Sequence, residues 1–427
     1  MQRIPHCAHW GAFTALVENG KLVGVEPFGK DPNPSPMLNA LKDWFDPSVR
    51  IDRPYVREGW LRDRLASDRA ARGRDRFVAV SWEVALGLAA GEIDRVRHTH
   101  CNDSIFAGSY GWASAGRLHH GQSLVKRLMN QIGGYTGHKD SYSKGAGAVL
   151  LRHVLGSDDS ATADSTTLDT IAAHTDLLLA FGAMSHRTGQ VEAGGVGRHM
   201  LYTRLRAVAD RKVRVIHISP RRDDLPSWLN AEWWPIRPGT DAALALALAG
   251  EIVAAGKQDD AFLARCTSGA EPFLAYLGGA SDGTPKTADW AASITGIDAA
   301  RIRALAASIP GQRMFMTMSW SLQRQVFGEQ PWWAGIGLAS VTGQIGLPGG
   351  GIAFGIGSTG GVAASTSLTK SPTLPQGEKP NAAFIPVARI CDLLLKPGTP
   401  FTYEGREHTY PDTRLLYWVG GNPFYYY

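Results

Sequence analysis

A glycine-rich segment early in the chain brings together side chains that could line a ligand site. Residues 108–119 read Gly-Ser-Tyr-Gly-Trp-Ala-Ser-Ala-Gly-Arg-Leu-His. The glycines let the backbone approach a ligand closely, and Tyr110 and Trp112 can form an aromatic wall with polar tips. An ordinary glycine-rich turn that leads into a helix has the same composition, so the residue types alone leave both interpretations open.

A serine-containing segment follows at residues 140–151, Asp-Ser-Tyr-Ser-Lys-Gly-Ala-Gly-Ala-Val-Leu-Leu. Its second serine, Ser143, precedes an apolar pattern of helical period, which is the usual position of a helix N-cap. The alternative is chemical, because a serine alkoxide suits a hard, high-valent metal ion and a helix N-terminus favours the ionised oxygen. The residue types do not decide between a capping serine and a metal ligand.

Two later segments combine arginines with predicted strand ends and helix starts. Residues 218–224 read Ile-Ser-Pro-Arg-Arg-Asp-Asp, and residues 235–244 read Pro-Ile-Arg-Pro-Gly-Thr-Asp-Ala-Ala-Leu. Arginines and backbone amides at such positions bind phosphates or a nucleotide base, although solvated loop charge is an equally good interpretation. The candidate binding residues are Ser219, Pro220, Arg221, Arg237, Gly239 and Asp241.

Other motifs give weaker signals. Residues 355–360 form a literal G-x-G-x-x-G after a possible strand. The sequence that follows is a poor start for the helix that a dinucleotide fold requires there. The histidines and cysteines near residues 6–9 and 98–101 match no strong zinc template. The sequence contains no Walker A loop, no G-x-S-x-G and no H-E-x-x-H, so hydrolase and P-loop functions lack their usual support.

The composition is that of a loop-rich globular protein. The 427 residues are 44% hydrophobic and 19% charged, with a net charge of only +5, which does not favour nucleic acid as a partner. The four cysteines lie far apart, which argues against a disulfide framework and an iron–sulfur cluster. No stretch approaches 18 uninterrupted apolar residues, and the first residues lack an export signal, so we expect a cytoplasmic protein without membrane insertion.

The elements that must position these residues follow an alternating pattern from about residue 175. Buried strands are predicted at 176–182, 213–219 and 314–319, and helices at 241–255, 299–308 and 332–343. Such alternation favours a parallel α/β sheet with helices on both faces. Further helices are predicted from Ser81, at 121–131 and at 385–395, and a last strand at 414–419. The glycine-rich stretch 347–379 is predicted to contribute no core element.

Taken together, several segments resemble the dimethyl sulfoxide reductase family of molybdopterin enzymes, most closely its biotin sulfoxide and trimethylamine N-oxide reductase branch. Each is weak alone, but they occur in the family's order along nearly the whole chain. The matching stretches are Ala8-His-Trp-Gly, Ile105-Phe-Ala-Gly-Ser-Tyr-Gly-Trp, Gly133-Gly-Tyr-Thr-Gly-His, Phe262-Leu-Ala-Arg-Cys-Thr, Gln323-Arg-Gln-Val-Phe-Gly-Glu-Gln, Gly343-Gln-Ile-Gly-Leu-Pro-Gly-Gly-Gly and Gly420-Gly-Asn-Pro-Phe.

The resemblance implies a molybdenum ion held by two molybdopterin guanine dinucleotides. Ser143 matches the serine that ligates the metal in the family's D-Y-S-like motif, although this sequence has one extra residue between Asp140 and Tyr142. Tyr110 and Trp112 match active-site aromatic residues of the family. Residues implied as cofactor contacts are Trp112, Ser219, Pro220, Arg221, Arg237, Gly239, Asp241, Ser319 and Gln323. The chain departs from the family at Ser219, where aspartate is frequent, and at Ala183-Met-Ser-His, where an Asn-Pro pair is common.

The implied reaction is removal of one oxygen atom from an S-oxide or N-oxide, with electrons supplied by an external protein or reduced cofactor. Two alternatives remain open. Formate oxidation on the same cofactor would call for a cysteine or selenocysteine ligand, and Ser143 argues against it. A non-catalytic fragment that binds a nucleotide or a partner is the other alternative.

The resemblance also implies a multi-domain organisation. We expect a small, mainly β domain at 1–58, the first part of an α/β cofactor-binding domain at 59–170 and a dinucleotide-binding-like α/β domain at 171–350. Residues 351–427 are expected to form a glycine-rich funnel loop and a return into the earlier domain. Because the strand at 414–419 lacks a following helix, we expect the 427 residues to be an amino-terminal portion of a longer enzyme.

Overall fold

The computed structural model describes residues 1–46, 48–108, 120–159, 165–182, 184–363 and 373–420. The chain opens with an antiparallel sheet of three strands, β1 (Gln2–Ala8), β2 (Gly11–Glu18) and β3 (Lys21–Pro27). A 3₁₀ helix, Pro36–Phe45, covers one face of this sheet, where Leu38 and Leu41 pack against Phe13. Alternation of buried and exposed residues along β2 fits a sheet with one covered face.

The next region mixes short strands and helices. Its helix α2 begins after Ser81, whose hydroxyl accepts the Val84 N–H at 3.2 Å. Ser81 is the N-cap, and the predicted start of this helix is confirmed. The elements are β4 (Tyr55–Arg57), α1 (Glu58–Asp63), β5 (Phe77–Ala79), α2 (Trp82–His100), β6 (Ile105–Gly108), α3 (Gly121–Gln131), β7 (Gly137–Lys139), α4 (Gly145–Val154) and α5 (Leu168–His174).

A parallel sheet of five strands forms the centre of the protein. Its strands are β8 (Leu177–Phe181), β9 (Arg214–Ile218), β10 (Glu232–Trp234), β11 (Met314–Met318) and β12 (Gly351–Phe354), in the order β10-β9-β8-β11-β12. All neighbouring pairs are parallel. The predicted parallel α/β sheet is therefore confirmed, and the apolar runs of β8 and β11 are buried on both faces.

Helices cover both faces of this sheet. Successive residues of β8 alternate between two cores, with Leu177 and Leu179 on one face and Leu178 and Ala180 on the other. The helices of this region are α6 (Leu201–Asp210), α7 (Asp241–Ala254), α8 (Asp260–Cys266), α9 (Ala270–Leu277), α10 (Ala288–Thr295), α11 (Ala299–Ser308) and α12 (Glu329–Val341). Helices α4, α7 and α10 to α12 contribute to the first core, and α5 and α6 to the second.

The last part of the described chain returns to the region before the sheet. It comprises β13 (Phe384–Pro386), α13 (Ile390–Leu395), β14 (Pro400–Tyr403), β15 (Arg406–Thr409) and β16 (Leu415–Trp418). Strand β13 pairs with β7 and β16 pairs with β6, both in parallel. These pairings bring segments more than two hundred residues apart against the loop that carries Ser143.

Two sequence-based predictions of elements are wrong. The stretch 347–379 was expected to lack a core element, yet it contains β12, the outermost strand of the central sheet, whose Phe354 is fully buried. Flanking glycines hide this four-residue strand in the sequence pattern. The helix predicted at 385–395 begins only at Ile390, because Ile385 is engaged in the ladder with β7.

Within the ranges given above, no helix is both long and apolar enough to cross a membrane.

A buried histidine–aspartate pair joins the first sheet to the central region. The Asp31 carboxylate accepts a hydrogen bond from the His199 backbone N–H at 2.9 Å, and its Oδ2 lies 2.6 Å from His199 Nδ1. Both side chains are almost fully buried. His199 Nε2 lies 2.8 Å from the Gln190 carbonyl oxygen. A carbonyl only accepts, so Nε2 carries a proton and the imidazole orientation is fixed at both nitrogens.

We expect Asp31→Ala to lower the free energy of unfolding by about 3 kcal/mol or more, because the buried imidazole loses its partner. Chemical denaturation of the purified chain measures this change. Asp52→Ala removes an exposed ion pair with Arg53 and serves as the control, with no measurable change expected. Equal stability of the Asp31 variant and the unchanged protein would show that the pair does not hold the two regions together.

Candidate functional site

Ser143 lies in the tight loop between β7 and α4. Asp140 opens this loop with φ +67°, and the Ser143 N–H donates to Ser141 Oγ at 3.1 Å. Helix α4 begins at Gly145 with Lys144 as its N-cap, and no side chain of the loop caps it. The hydrogen bonds that Ser143 makes with the described residues all involve its backbone. Ser143 is therefore not a helix cap, and its half-buried hydroxyl has no structural role among these residues.

The first turn of α4 is capped from another part of the chain. Gln323 Oε1 accepts the N–H of Ala146 at 2.9 Å and approaches that of Gly147 at 3.4 Å. Gln323 Nε2 donates to the carbonyl oxygens of Tyr142 at 3.1 Å and Ser143 at 3.2 Å. One buried amide thus binds both sides of the loop.

The opposite side of the same loop is held by the returning segment. Tyr142 Oη donates to the Val387 carbonyl at 2.7 Å, and Tyr403 Oη donates to Asp140 Oδ2 at 2.9 Å. Burial raises the pKa of Tyr142 to about 12, and burial together with Asp140 raises the pKa of Tyr403 to about 12. Both hydroxyls stay protonated at neutral pH and remain hydrogen-bond donors. The Ser143 loop is therefore held on two sides by segments that come later in the chain.

Further candidate site residues lie in the loops that follow the carboxyl ends of the parallel strands. The Ser319 N–H donates to the Phe181 carbonyl at 2.9 Å, and the Gly182 N–H donates to the Ile218 carbonyl at 2.8 Å. Ser219 and Ser319 consequently lie directly after β9 and β11, on either side of the end of β8. Gln323 ends the short 3₁₀ helix that follows Ser319. The structure thus connects Ser143, Ser319 and Gln323, which the sequence separates widely.

The loop after β9 is organised by internal hydrogen bonds. The buried Ser219 hydroxyl donates to Asp224 Oδ2 at 2.8 Å and accepts the Arg221 N–H at 3.2 Å. The Arg221 guanidinium is exposed and contacts Asp223 at 3.2 Å, and Pro220 is exposed between these residues. Ser219 therefore stabilises the loop conformation, which leaves the backbone and Arg221 at its surface.

The loop before α7 contains a buried carboxyl group. The Asp241 side chain begins α7 and its Oδ1 has no hydrogen-bond partner among the described residues, although the residue is only 3% exposed. Burial raises the pKa of Asp241 to about 6. Gly239 has φ +79°, and a Cβ there would lie 2.7 Å from Gln325 Oε1. The exposed Arg237 guanidinium donates to the Ser293 carbonyl at 2.8 Å, at the end of α10.

Some predicted site residues cannot be placed. Tyr110 and Trp112 lie outside the described residues, as does Ala183 of the departure noted above. The sequence pattern singled out Asp140 and Tyr142 only as members of the Ser143 motif and did not single out Tyr403, although all three hold the Ser143 loop. Their residue types and positions carry no signal of these contacts, because the partners lie hundreds of residues apart.

The rejected G-x-G-x-x-G motif also lies at this sheet edge. Gly355 directly follows β12 with φ +88°, and a Cβ there would lie 2.0 Å from Trp320 Nε1. Gly357 has φ +78°, and its Cβ would lie 2.7 Å from the Met184 backbone. Both positions require glycine, so the motif serves close packing of loops at the edge. The spacing of its glycines indicates this close packing.

We expect Asp241→Asn to stabilise the cofactor-free protein at neutral pH. The pKa of this carboxyl is raised in the folded state, so its stabilising contribution is complete below about pH 4 and is lost as the pH rises through 6. Asparagine imitates the protonated form, and at pH 7.5 the variant should be more stable by roughly 2–3 kcal/mol.

Denaturation curves between pH 4.5 and 7.5 measure this difference. Asp289→Asn, in the first turn of α10, is the control because that carboxylate is largely exposed. If the stability difference between Asp241→Asn and the unchanged protein did not vary with pH, Asp241 would not ionise in this range.

Comparison with known proteins gives close relatives. The chain is 58% identical over 404 residues to biotin sulfoxide reductase of Cereibacter sphaeroides, covering 95% of this chain and 54% of that protein. It is 39% identical to the dimethyl sulfoxide/trimethylamine N-oxide reductase of Rhodobacter capsulatus, covering 98% and 52%. It is 40% identical to trimethylamine-N-oxide reductase of Haemophilus influenzae, covering 99% and 52%. The chain spans about half the length of these relatives.

A solved structure shares the fold. Acetylene hydratase from Pelobacter acetylenicus superposes with a TM-score of 0.53 at 20% identity, covering 78% of this chain and 42% of that one. In the sequence, residues 50–426 match the molybdopterin oxidoreductase family and residues 6–44 match the molybdopterin oxidoreductase N-terminal domain. The chain therefore belongs to the molybdopterin oxidoreductase family, as the resemblance predicted.

Proposed function

We propose that this chain provides the serine ligand and part of the dinucleotide-binding surface of a molybdenum enzyme that removes an oxygen atom from an S-oxide or N-oxide. The observation that carries the proposal is the Ser143 loop. Its hydroxyl has no structural role among the described residues, while its backbone is held from two sides. A hydroxyl presented in this way on a rigid loop is suited to metal ligation.

The residues of the sheet edge fit a guanine dinucleotide. Asp241 offers a buried carboxylate oxygen without a partner among the described residues, which suits the N–H donors of a guanine base. Glycines at 182, 239 and 355 have positive φ and close neighbours, so the loops after the strands pack closely against one another. The exposed Arg221 side chain after β9 suits phosphate groups. We assign Ser219, Pro220, Arg237, Ser319, Gln323 and Trp112 to the same cofactor region.

The bound metal would supply the oxygen-atom transfer, and the chain's own residues would supply ligation, positioning and proton control. Ser143 would occupy a metal coordination position through its oxygen. Tyr110 would hold a proton at its hydroxyl near the oxygen that leaves the substrate, and Trp112 would form the adjacent wall. Serine in place of cysteine favours this reaction over formate oxidation.

The substrate and the electron source belong to the proposal as well. The named relatives act on biotin sulfoxide, dimethyl sulfoxide or trimethylamine N-oxide according to their names. Biotin sulfoxide is the first substrate to test, because the relative with that name shares 58% identity. Electrons would come from an external donor. A cytoplasmic location remains part of the proposal.

The test uses the longest reading frame that contains these 427 residues, expressed in a host that makes the molybdenum cofactor. Molybdenum, pterin and iron are quantified in the purified protein, and reduction of biotin sulfoxide, dimethyl sulfoxide and trimethylamine N-oxide is assayed with a reduced dye. We expect molybdenum and pterin with negligible iron, and turnover of at least one oxide. Protein without molybdenum or pterin would refute the proposal.

We expect Ser143→Ala to lower turnover by about 100-fold or more while most of the pterin stays bound, because the dinucleotides have separate contacts. Turnover, pterin content and the electron paramagnetic resonance spectrum of the metal are measured together. Ser157→Ala, which changes an exposed serine in the loop after α4, is the control. Normal turnover with an unchanged metal spectrum would remove Ser143 from the coordination sphere.

We expect Tyr110→Phe to slow oxide reduction by roughly 100-fold with cofactor content intact, because the ring remains and only the hydroxyl is lost. Steady-state rates with several S-oxides and N-oxides give the comparison. Tyr55→Phe, at an exposed position on β4, is the matched control. Unaltered rates for every substrate would leave Tyr110 as a wall residue only.

A further inference from the structure

The side-chain amide of Gln323 binds both the Ser143 loop and the first turn of α4. We infer that Gln323 is a positioning residue that sets the direction of the Ser143 hydroxyl through the loop backbone. The inference rests on the proposed function of Ser143 as metal ligand. It assigns to Gln323 a role distinct from direct contact with a dinucleotide.

The hydrogen-bonding capacity of the Gln323 amide is fully used. Its oxygen faces the N–H groups of Ala146 and Gly147, at 2.9 and 3.4 Å. Its nitrogen donates to the carbonyls of Tyr142 and Ser143, at 3.1 and 3.2 Å. An amide has two donor hydrogens and two acceptor lone pairs, so none remains for a further ligand. The side chain is 4% exposed, which also separates it from bulk water.

The two accepting carbonyls are those on either side of the Ser143 Cα atom. Each carbonyl belongs to a rigid planar peptide unit, so binding its oxygen fixes the orientation of that plane. With both planes fixed by the same amide, the backbone angles of Ser143 and the direction of its Cα–Cβ bond are fixed as well. Arg324 Nε adds a contact to the Ser143 carbonyl at 3.3 Å. The amide therefore acts on the serine without touching its hydroxyl.

The amide is itself attached to rigid elements. Gln323 ends the 3₁₀ helix that directly follows the central strand β11. A Cβ on Gly328 would lie 1.8 Å from the Gln323 carbonyl oxygen, and a Cβ on Gly147 would lie 2.3 Å from the Trp332 ring. Helices α4 and α12 are thus packed in direct contact beside the amide. A site supported by such elements keeps its geometry better than one supported by a free loop.

Hydrogen exchange in the cofactor-free chain tests the structural half of the inference. Gln323→Met keeps the side-chain length and removes the amide, and Gln323→Glu keeps the shape but replaces the donor with a second acceptor. We expect at least about tenfold faster amide exchange in peptides covering 142–150 for both variants. Gln330→Met is the control, since among the described residues the Gln330 side-chain amide bonds only to the neighbouring Glu329 side chain. Unchanged exchange in both Gln323 variants would overturn the inference.

The loaded protein tests the functional half. We expect Gln323→Met to lower kcat by about 10- to 100-fold while KM for the oxide changes less than about twofold, with molybdenum and pterin retained. The resonance spectrum of the metal should move toward that of Ser143→Ala. We expect Gln323→Glu to show a larger loss, because its carboxylate faces two carbonyl oxygens. Unchanged spectra in both variants, despite faster exchange of the loop, would overturn the inference.

The outcome for Ser143→Ala separates the two claims. If Ser143→Ala leaves the metal spectrum unchanged, the proposed function of Ser143 fails and the positioning role falls with it. If Ser143→Ala changes the spectrum but neither Gln323 variant does, only the positioning role fails. Loss of metal and pterin in the Gln323 variants, with loop exchange unchanged, would instead indicate a direct cofactor contact and would also overturn the inference.

Discussion

The parallel direction of the five central strands is the constraint on which the rest of this structure depends. Because every strand runs the same way, all carboxyl ends meet at one edge, and helices must cover both faces. The strands themselves are apolar, so the polar side chains lie in the loops at that edge. Ser219 follows β9 directly, Ser319 follows β11 directly, and Gln323 ends the short 3₁₀ helix after Ser319. The Ser143 loop, before α4, lies beside them.

The cap of α4 has an electrostatic consequence for the site. Gln323 satisfies amide groups at the start of this helix but carries no charge, and the first turn of α4 has no acidic residue. The first turn therefore contributes no carboxylate that would neutralise the partial positive charge of the helix N-terminus. A serine oxygen one residue before the N-cap lies within its influence, which favours the ionised form needed by a metal.

The sequence was sufficient for those features that depend on residue type and local period. Continuous apolar runs predicted β8, β9 and β11, and helices α3 and α11 were predicted with their observed bounds. The strand β12 was indicated only as a possible strand before Gly355, because four residues between glycines give little pattern.

Long-range contacts could not be predicted in the same way. The contact between Gln323 and Ser143 spans 180 positions, and no periodicity encodes such a pairing. The burial of Asp241 was equally hidden, because an aspartate in the first turn of a helix is usually solvated. Family resemblance identified Ser143 and Gln323 as important, whereas the physical relation between them required the fold.

The buried carboxyl of Asp241, whose Oδ1 has no partner among the described residues, links ligand binding to proton release. In the cofactor-free chain its pKa is about 6, and a buried N–H donor from a guanine base would favour the ionised form and lower that value. Under the proposed function, binding near pH 6 is therefore accompanied by proton release, and affinity weakens as the medium becomes more acidic. Acquisition of the cofactor, and not only turnover, would then respond to the acidity of the compartment in which the chain is assembled.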